Sequence, residues 1–252
     1  MAEMYDFILT KLMPMIETYK IKNICDYGCG DGELLEKLNT QKKDLSLTGI
    51  DYFSKFGDKN PQNNKSDISY IDRESAEYEK LSELNKFDMV LSTFALHHFQ
   101  YPIGELQLLT DLVKSGGYLV FVDLVFQTDN QAKIAKNISS YIEEMGLAIK
   151  GHYHRHHYTL EEVKDLIKAI PVEIVTAEEI TNELTEEENN ENIKIKLDRN
   201  SLIRKNLSKA PEHWKELWLP FFEQEKKIVE KRGYDMSSLL FFCLKRNKKN
   251  NI

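Results

Sequence analysis

Apolar positions recur along the chain at two spacings, which together predict alternating strands and helices. Short apolar or alternating runs predict strands near residues 21–25, 45–51, 67–71, 87–92, 118–123, 172–175 and 238–244. Apolar residues three and four positions apart predict amphipathic helices near 4–19, 33–38, 75–84, 104–113, 127–145 and 159–167. Pro14 interrupts the first helix, which predicts a kink or two shorter pieces. Alternation of this kind is typical of an α/β fold with a doubly wound, mostly parallel sheet and right-handed crossovers.

Residues 178–236 separate the last two predicted strands, and their pattern predicts a helical insertion. A run of glutamates opens this segment, and a solvated face or a loop is the default interpretation of such a run. Apolar residues then recur at helical spacing from Trp214 to Val229, with a kink or a second helix predicted at Pro220. Either the segment packs against the main domain or it caps an acceptor pocket. We expect a single domain over 1–252, with its core at 20–177 and 237–246.

Three glycines at alternate positions follow the first predicted strand and precede a helix, in the sequence ICDYGCGDGELL that starts at Ile24. This order of strand, turn and helix brings backbone N–H groups and a helix N-terminus against a ligand. The dinucleotide fingerprint G-x-G-x-x-G is not met, because residue 33 is Glu. The second strand ends at Asp51, close to the spacing at which α/β nucleotide folds place a ribose-binding carboxylate. A turn aspartate is the alternative interpretation of Asp51.

The stretch from Asp26 to Gly32 resembles the D-x-G-x-G-x-G motif of class I S-adenosylmethionine-dependent methyltransferases. Residues 87–90, residues 95–98 and the glycine pair at 116–117 resemble later motifs of the same family. The resemblance covers about residues 20–125 well and the remainder more loosely. It implies a Rossmann-like methyltransferase fold with a seven-stranded sheet, S-adenosyl-L-methionine as the cofactor, and methyltransferase activity.

The resemblance also implies roles for individual residues. Asp26 and the glycine turn would hold the amino-acid portion of the cofactor, and Asp51 would accept hydrogen bonds from the ribose hydroxyls. Asp72, with Asp67 as the alternative, would lie near the adenine. An aromatic face at Phe94 would favour the charge of the sulfonium. The residues expected to bind the cofactor are Asp26, Gly28, Cys29, Gly30, Gly32, Asp51, Tyr52, Asp72, Ser92, Thr93 and Phe94.

Histidines are the candidates for the base that a hydroxyl or protonated-amine acceptor would need. His97 and His98 follow the fourth strand, where cofactor contact or a scaffold role is the alternative. Four more histidines lie within residues 152–157, where metal ligation, the lining of a polar pocket and a solvated loop all stay open. The predicted catalytic residues are His97, His98, His154 and His157, and no metal is predicted.

Composition changes this interpretation in two respects. A net charge of −7 and a pI near 5.6 argue against a general nucleic-acid binder, and a local basic patch stays open. We expect a small or medium-sized acceptor and no nucleic-acid partner. Three cysteines suggest no disulfide framework, and no apolar run approaches the roughly 18 residues of a membrane helix, so we expect a reduced, cytoplasmic chain.

Two other classes of function stay open. One is a non-catalytic protein of the same fold that binds the cofactor or a partner. The other is a nicotinamide-dependent oxidoreductase, which is disfavoured by Glu33 and by the lack of a recognisable catalytic Tyr-Lys pair.

Overall fold

A computed structural model describes residues 2–53, 60–63, 67–81, 87–148, 151–209 and 211–247. The strands are β1 (Asn23–Tyr27), β2 (Ser46–Asp51), β3 (Ser69–Asp72), β4 (Phe87–Thr93), β5 (Val113–Leu124), β6 (Val172–Thr181) and β7 (Ser238–Arg246). The α-helices are α1 (Ala2–Thr18), α2 (Glu33–Gln41), α3 (Ala76–Leu81), α4 (Pro102–Leu112), α5 (Gln131–Ala148), α6 (Leu160–Ile167), α7 (Glu186–Leu207) and α8 (Glu212–Arg232). Short 3-10 helices cover Pro61–Asn63 and Leu96–His98. The predicted α/β class is confirmed.

The strands form one seven-stranded sheet in the order β3-β2-β1-β4-β5-β7-β6. β1 pairs in parallel with both β2 and β4, and the pairs β2–β3 and β4–β5 are parallel as well. The strand order therefore reverses between β1 and β4. In open α/β sheets, ligands bind outside the carboxyl ends of the strands at such a reversal. The glycine turn that follows β1 lies at this point.

Burial of the strands agrees with their place in the sheet. Consecutive residues are buried in β1, β4 and β7, so both faces of these strands are covered, as the near-continuous apolar runs predict. The edge strand β6 is mostly exposed. Among the described residues, no helix combines the length and apolar character that crossing a membrane requires.

Several predicted boundaries are wrong for identifiable reasons. α1 runs through Pro14 as one helix, so the alternative of two shorter pieces is wrong. β5 begins at Val113, five residues before the start of the strand predicted near 118–123, and Phe87 pairs with Val113 but Met89 pairs with Tyr118. The register of the β4–β5 pairing therefore shifts between these two pairs.

Three glutamates of the acidic run, Glu186 to Glu188, lie in the first turn of α7 and not in a loop. Glu186 and Glu187 are exposed, which agrees with the alternative of a solvated face. Glu188 donates its backbone N–H to Thr185 Oγ1 at 3.2 Å, and its carboxylate accepts the Thr185 N–H at 2.6 Å. These reciprocal bonds form a capping box at the start of α7. Acidic side chains in a first turn are also favoured by the helix dipole. The glutamates therefore help to start α7.

The chain divides into two compact units. Unit 1 consists of Met1–Asp123, Leu160–Glu178 and Leu240–Ile252, and unit 2 consists of Leu124–Thr159 and Glu179–Leu239. Unit 1 holds β1 to β4 and the glycine turn, whereas unit 2 holds α5, α7 and α8. That the chain is a single domain, with its 178–236 segment either packed against the main domain or capping an acceptor pocket, stays a prediction.

The aromatic stripe of α8 forms much of the apolar interior of unit 2. Trp218 and Phe222 pack against Ile142 of α5. Val229, two turns further along α8, packs against Ala135. Helix α7 adds a charged contact to these clusters. Lys196 Nζ lies 3.0 Å from Glu225 Oε1 and 3.7 Å from Glu143 Oε1, and Glu225 is fully buried.

The buried Lys196–Glu225 pair allows a test of how α7 is held. Lys196→Met should lower the free energy of unfolding by about 3 kcal/mol, because Glu225 loses its nearest counter-charge while staying buried. The double variant Lys196→Met/Glu225→Leu should recover most of that loss, because it replaces the pair with apolar side chains. Urea unfolding measures both effects. A double variant less stable than Lys196→Met would contradict this expectation.

Candidate active site

The glycine turn joins β1 to α2 and folds tightly against the end of β2. The N–H groups of Gly28 and Cys29 donate to the carbonyl oxygen of Ile50 at 2.8 and 3.2 Å. Gly28 and Gly30 have φ values of +79° and +59°, in the left-handed region that favours glycine. A Cβ on Gly28 would lie 2.8 Å from Ala95 Cβ, whereas one on Gly30 would meet no described atom within 4 Å. The turn therefore approaches the chain closely on one side and is open at Gly30.

Asp26 lies at the base of this turn and is 1% exposed. Among the described residues, neither of its carboxylate oxygens has a hydrogen-bond partner. Burial, followed by the negative charge of Asp51, raises the pKa of Asp26 to about 7. A buried carboxylate without a partner is unfavourable, and a cation or hydrogen-bond donor beside it would relieve the cost. Asp26 thus fits the ammonium end of S-adenosylmethionine.

Asp51 lies beside the same turn, at the carboxyl end of β2. Its Oδ2 accepts the N–H of Gly30 at 2.8 Å, and its Oδ1 accepts the N–H of Tyr52 at 2.7 Å. These bonds fix the carboxylate, and each oxygen has a second lone pair with which to accept a ribose hydroxyl. In the β2–β3 register, Asp51 pairs with Asp72. Asp72 accepts the N–H of Glu74 at 2.8 Å and so closes the turn after β3.

The residues expected at the end of β4 lie at the same edge of the sheet. Ser92 and Thr93 are buried, and Ser92 Oγ has no hydrogen-bond partner among the residues that the structure describes. Phe94 follows with a φ of +54°, which is unusual for a residue with a side chain. Its N–H donates to Val122 of β5 at 2.8 Å. Strained backbone of this kind concentrates at functional sites.

Helix α1 contributes one aromatic side chain near the glycine turn. The ring of Tyr5 lies 5.9 Å from that of Phe94, centroid to centroid. Burial, and then the negative charge of Asp26, raise the pKa of the Tyr5 hydroxyl above its ordinary value. Tyr5 and Phe94 therefore place aromatic surface beside the buried carboxylate.

The histidine that follows β4 is held by a carboxylate that the sequence did not single out. His97 Nδ1 lies 2.7 Å from Asp123 Oδ1 and 3.0 Å from Oδ2, and the His97 N–H donates to Oδ2 at 3.2 Å. Both residues are buried. His98 is exposed, with its ring 4.2 Å from that of His97. The sequence feature that could have identified Asp123 is its position as the acid that ends the fifth predicted strand.

The other two predicted catalytic residues belong to unit 2. His154 and His157 are both buried, so a solvated loop is the wrong interpretation for them. The N–H of His157 donates to Ser140 Oγ of α5 at 3.0 Å. The neighbouring His156 contacts Glu144 Oε2 through Nδ1 at 2.7 Å and is partly buried. The catalytic roles of His154 and His157 stay predictions.

The raised pKa of Asp26 predicts how stability changes with pH. Between about pH 4 and 7, Asp26 is protonated in the native state but ionised in the unfolded chain. The free energy of unfolding therefore falls as the pH rises through that window. Asp26→Asn should therefore be more stable than the wild type at pH 8, by up to about 4 kcal/mol. The difference should shrink towards pH 5. Urea unfolding at several pH values tests this, and a difference that does not depend on pH would contradict the assignment.

Comparisons with known proteins identify the family and agree with the fold. A family model described as "Methyltransferase domain" matches residues 4–177. A tRNA U34 carboxymethyltransferase from Pseudoalteromonas translucida (strain TAC 125) is 30% identical over 131 residues, which are 49% of this chain and 38% of that protein. The chain therefore spans well under half the length of this curated relative.

Two solved structures illustrate the likeness of the fold. A candidate sarcosine dimethylglycine methyltransferase from Galdieria sulphuraria aligns with a TM-score of 0.57 and 13% identity, over 96% of this chain and 85% of the other. The plantazolicin methyltransferase BpumL, solved with a monoazolic desmethylPZN analogue and SAH, aligns with a TM-score of 0.51 and 20% identity, over 92% and 79%. At such identities the likeness concerns the fold alone. Because the family model covers most of its length, this chain belongs to the methyltransferase domain family, as a class I S-adenosylmethionine-dependent methyltransferase.

Proposed function

We propose that this enzyme transfers the methyl group of S-adenosylmethionine to a small or medium-sized acceptor whose accepting oxygen or nitrogen carries a proton. The observation that carries the proposal is the buried His97–Asp123 pair, at the edge of the sheet where the glycine turn lies. A methyltransferase needs no base when the accepting atom has a nucleophilic lone pair and no proton to lose. A carboxylate-oriented histidine is useful where the acceptor must lose a proton.

The cofactor-binding part of the proposal rests on two carboxylates. When bound, the cofactor supplies a methyl group on a sulfonium, which is already activated for displacement. Asp26 is placed to hold the ammonium group, and Asp51 to accept the ribose hydroxyls. Phe94 and Tyr5 exclude water from this end of the crevice and offer aromatic faces to a positive charge.

The His97–Asp123 pair has the arrangement of a general base and its orienting group. With Nδ1–H donated to the Asp123 carboxylate, Nε2 is the basic nitrogen of the ring. The carboxylate also fixes the ring and stabilises the imidazolium that forms when Nε2 takes a proton. His97 therefore accepts the proton that the acceptor loses during methyl transfer.

A nucleic-acid acceptor is the second candidate. It is favoured by the name of the curated relative, a tRNA U34 carboxymethyltransferase, although the chain spans only 38% of that protein. The net charge of −7 supports the small acceptor, because proteins that bind nucleic acid usually carry a basic excess. We therefore place the small or medium-sized acceptor first.

Labelled cofactor distinguishes the two acceptor classes. The purified protein is incubated with methyl-labelled S-adenosylmethionine and either a small-molecule extract or total tRNA. We expect label in the small-molecule fraction and none in tRNA. Label confined to tRNA would favour the second candidate, and no label in either fraction would favour a binding protein without transferase activity.

A histidine variant tests the base in the same assay. His97→Gln should lower the transfer rate by about 10²-fold or more while leaving cofactor affinity within a few-fold. His213→Gln is the matched control, because His213 is an exposed histidine of α8 in unit 2. Equal activities of the two variants would show that His97 is not the base.

A further inference from the structure

An arginine that the resemblance does not assign lies among aromatic rings at the end of β3. The guanidinium carbon of Arg73 is 4.8 Å from the ring centroid of Tyr27, 4.7 Å from that of Tyr52 and 5.5 Å from that of Tyr78. Its Nη2 contacts Glu105 Oε1 of α4 at 3.2 Å. These distances are typical of cation–π contacts. Arg73 is thus held by three tyrosines and one carboxylate.

The residues around Arg73 also bind one another. The Tyr27 hydroxyl donates to Glu105 Oε2 at 2.6 Å and lies 3.1 Å from the Tyr78 hydroxyl. Burial raises the pKa of the Tyr27 hydroxyl above its ordinary value, and the hydrogen bond to Glu105 raises it further. The phenol therefore stays neutral and keeps donating to Glu105. A network in which each member has at least two contacts fixes the position of the guanidinium.

Arg73 is linked to the proposed ribose carboxylate through backbone and side chain together. Its N–H donates to the carbonyl oxygen of Asp51 at 2.9 Å. Its guanidinium stacks on Tyr52, whose N–H donates to Asp51 Oδ1. Tyr52 directly follows β2 and Arg73 directly follows β3, so their contact connects the ends of two neighbouring strands.

We propose that Arg73 is a positioning residue for the ribose and adenine end of the cofactor, acting through Tyr52 and Asp51. This inference rests on the proposed role of Asp51 as the ribose ligand. The planar guanidinium contacts several rings and a carboxylate at once, which a lysine ammonium cannot reproduce. By holding the Asp51–Tyr52 backbone, Arg73 keeps the Asp51 carboxylate in the orientation that accepts the ribose hydroxyls before the cofactor arrives.

Calorimetric titration with S-adenosylhomocysteine tests the proposal. Arg73→Met should weaken binding about tenfold, a size that coupled contacts commonly reach. The same loss should appear for 5′-methylthioadenosine, which keeps the ribose and adenine but lacks the amino-acid end. In an Asp51→Ala background, Arg73→Met should change affinity less than about twofold, because the carboxylate that it positions is gone. Arg73→Lys should give a smaller loss than Arg73→Met and serves if the methionine variant does not fold.

Arg246→Met is the matched control. Arg246 is also a buried arginine of unit 1, and its Nη2 pairs with Asp111 Oδ1 at 3.1 Å. We expect this variant to lose thermal stability while binding S-adenosylhomocysteine within about twofold of the wild type. The proposal fails if Arg73→Met weakens binding no more than Arg246→Met does, or equally with and without Asp51. An Asp51→Ala variant with unchanged affinity would instead overturn the ribose assignment itself.

Discussion

The proposed site depends on one buried carboxylate, that of Asp26. It lies where the strand order of the sheet reverses, and it has no hydrogen-bond partner among the described residues. Asp26 occupies this position because β1 is an interior strand that lies between β2 and β4 and is buried along most of its length. The glycine turn above it keeps side chains away from the open edge. Asp51 is fixed by the N–H of Gly30 in that same turn, so the two carboxylates are held relative to each other by backbone. We propose that the ammonium group of the cofactor is the partner that Asp26 lacks.

The elements that could be predicted from the sequence are those whose signal is local. The glycine turn, its flanking strand and helix, and Asp51 lie within thirty residues of one another, and their spacing reflects one βαβ unit. The fold class followed from the alternation of strand and helix patterns, and the family match and the sheet confirm it. The ends of individual helices and strands could be predicted less well. A capping box such as that of Thr185 and Glu188, for example, is hard to recognise within an acidic run.

Features that depend on distant residues could not be predicted in this way. The His97–Asp123 pair joins positions 26 residues apart, and Arg73 contacts Glu105 over 32 residues. Neither pairing follows from spacing. The first depends on β4 lying beside β5, and the second on the end of β3 lying beside α4. The identity of the acceptor is even harder to predict, because transfer of an activated methyl group requires few dedicated catalytic residues. Acceptor specificity then lies in side chains that carry no motif.

The most direct test of the central claim is a crystal structure of the protein with S-adenosylhomocysteine bound. We expect the ammonium group of this product within hydrogen-bond distance of the Asp26 carboxylate, and its ribose hydroxyls on Asp51. The Asp51 carboxylate should keep its position, because the N–H groups of Gly30 and Tyr52 fix it before the product binds. A product bound elsewhere, with Asp26 still lacking a cationic or hydrogen-bonding partner, would contradict the assignment of this edge of the sheet as the cofactor site.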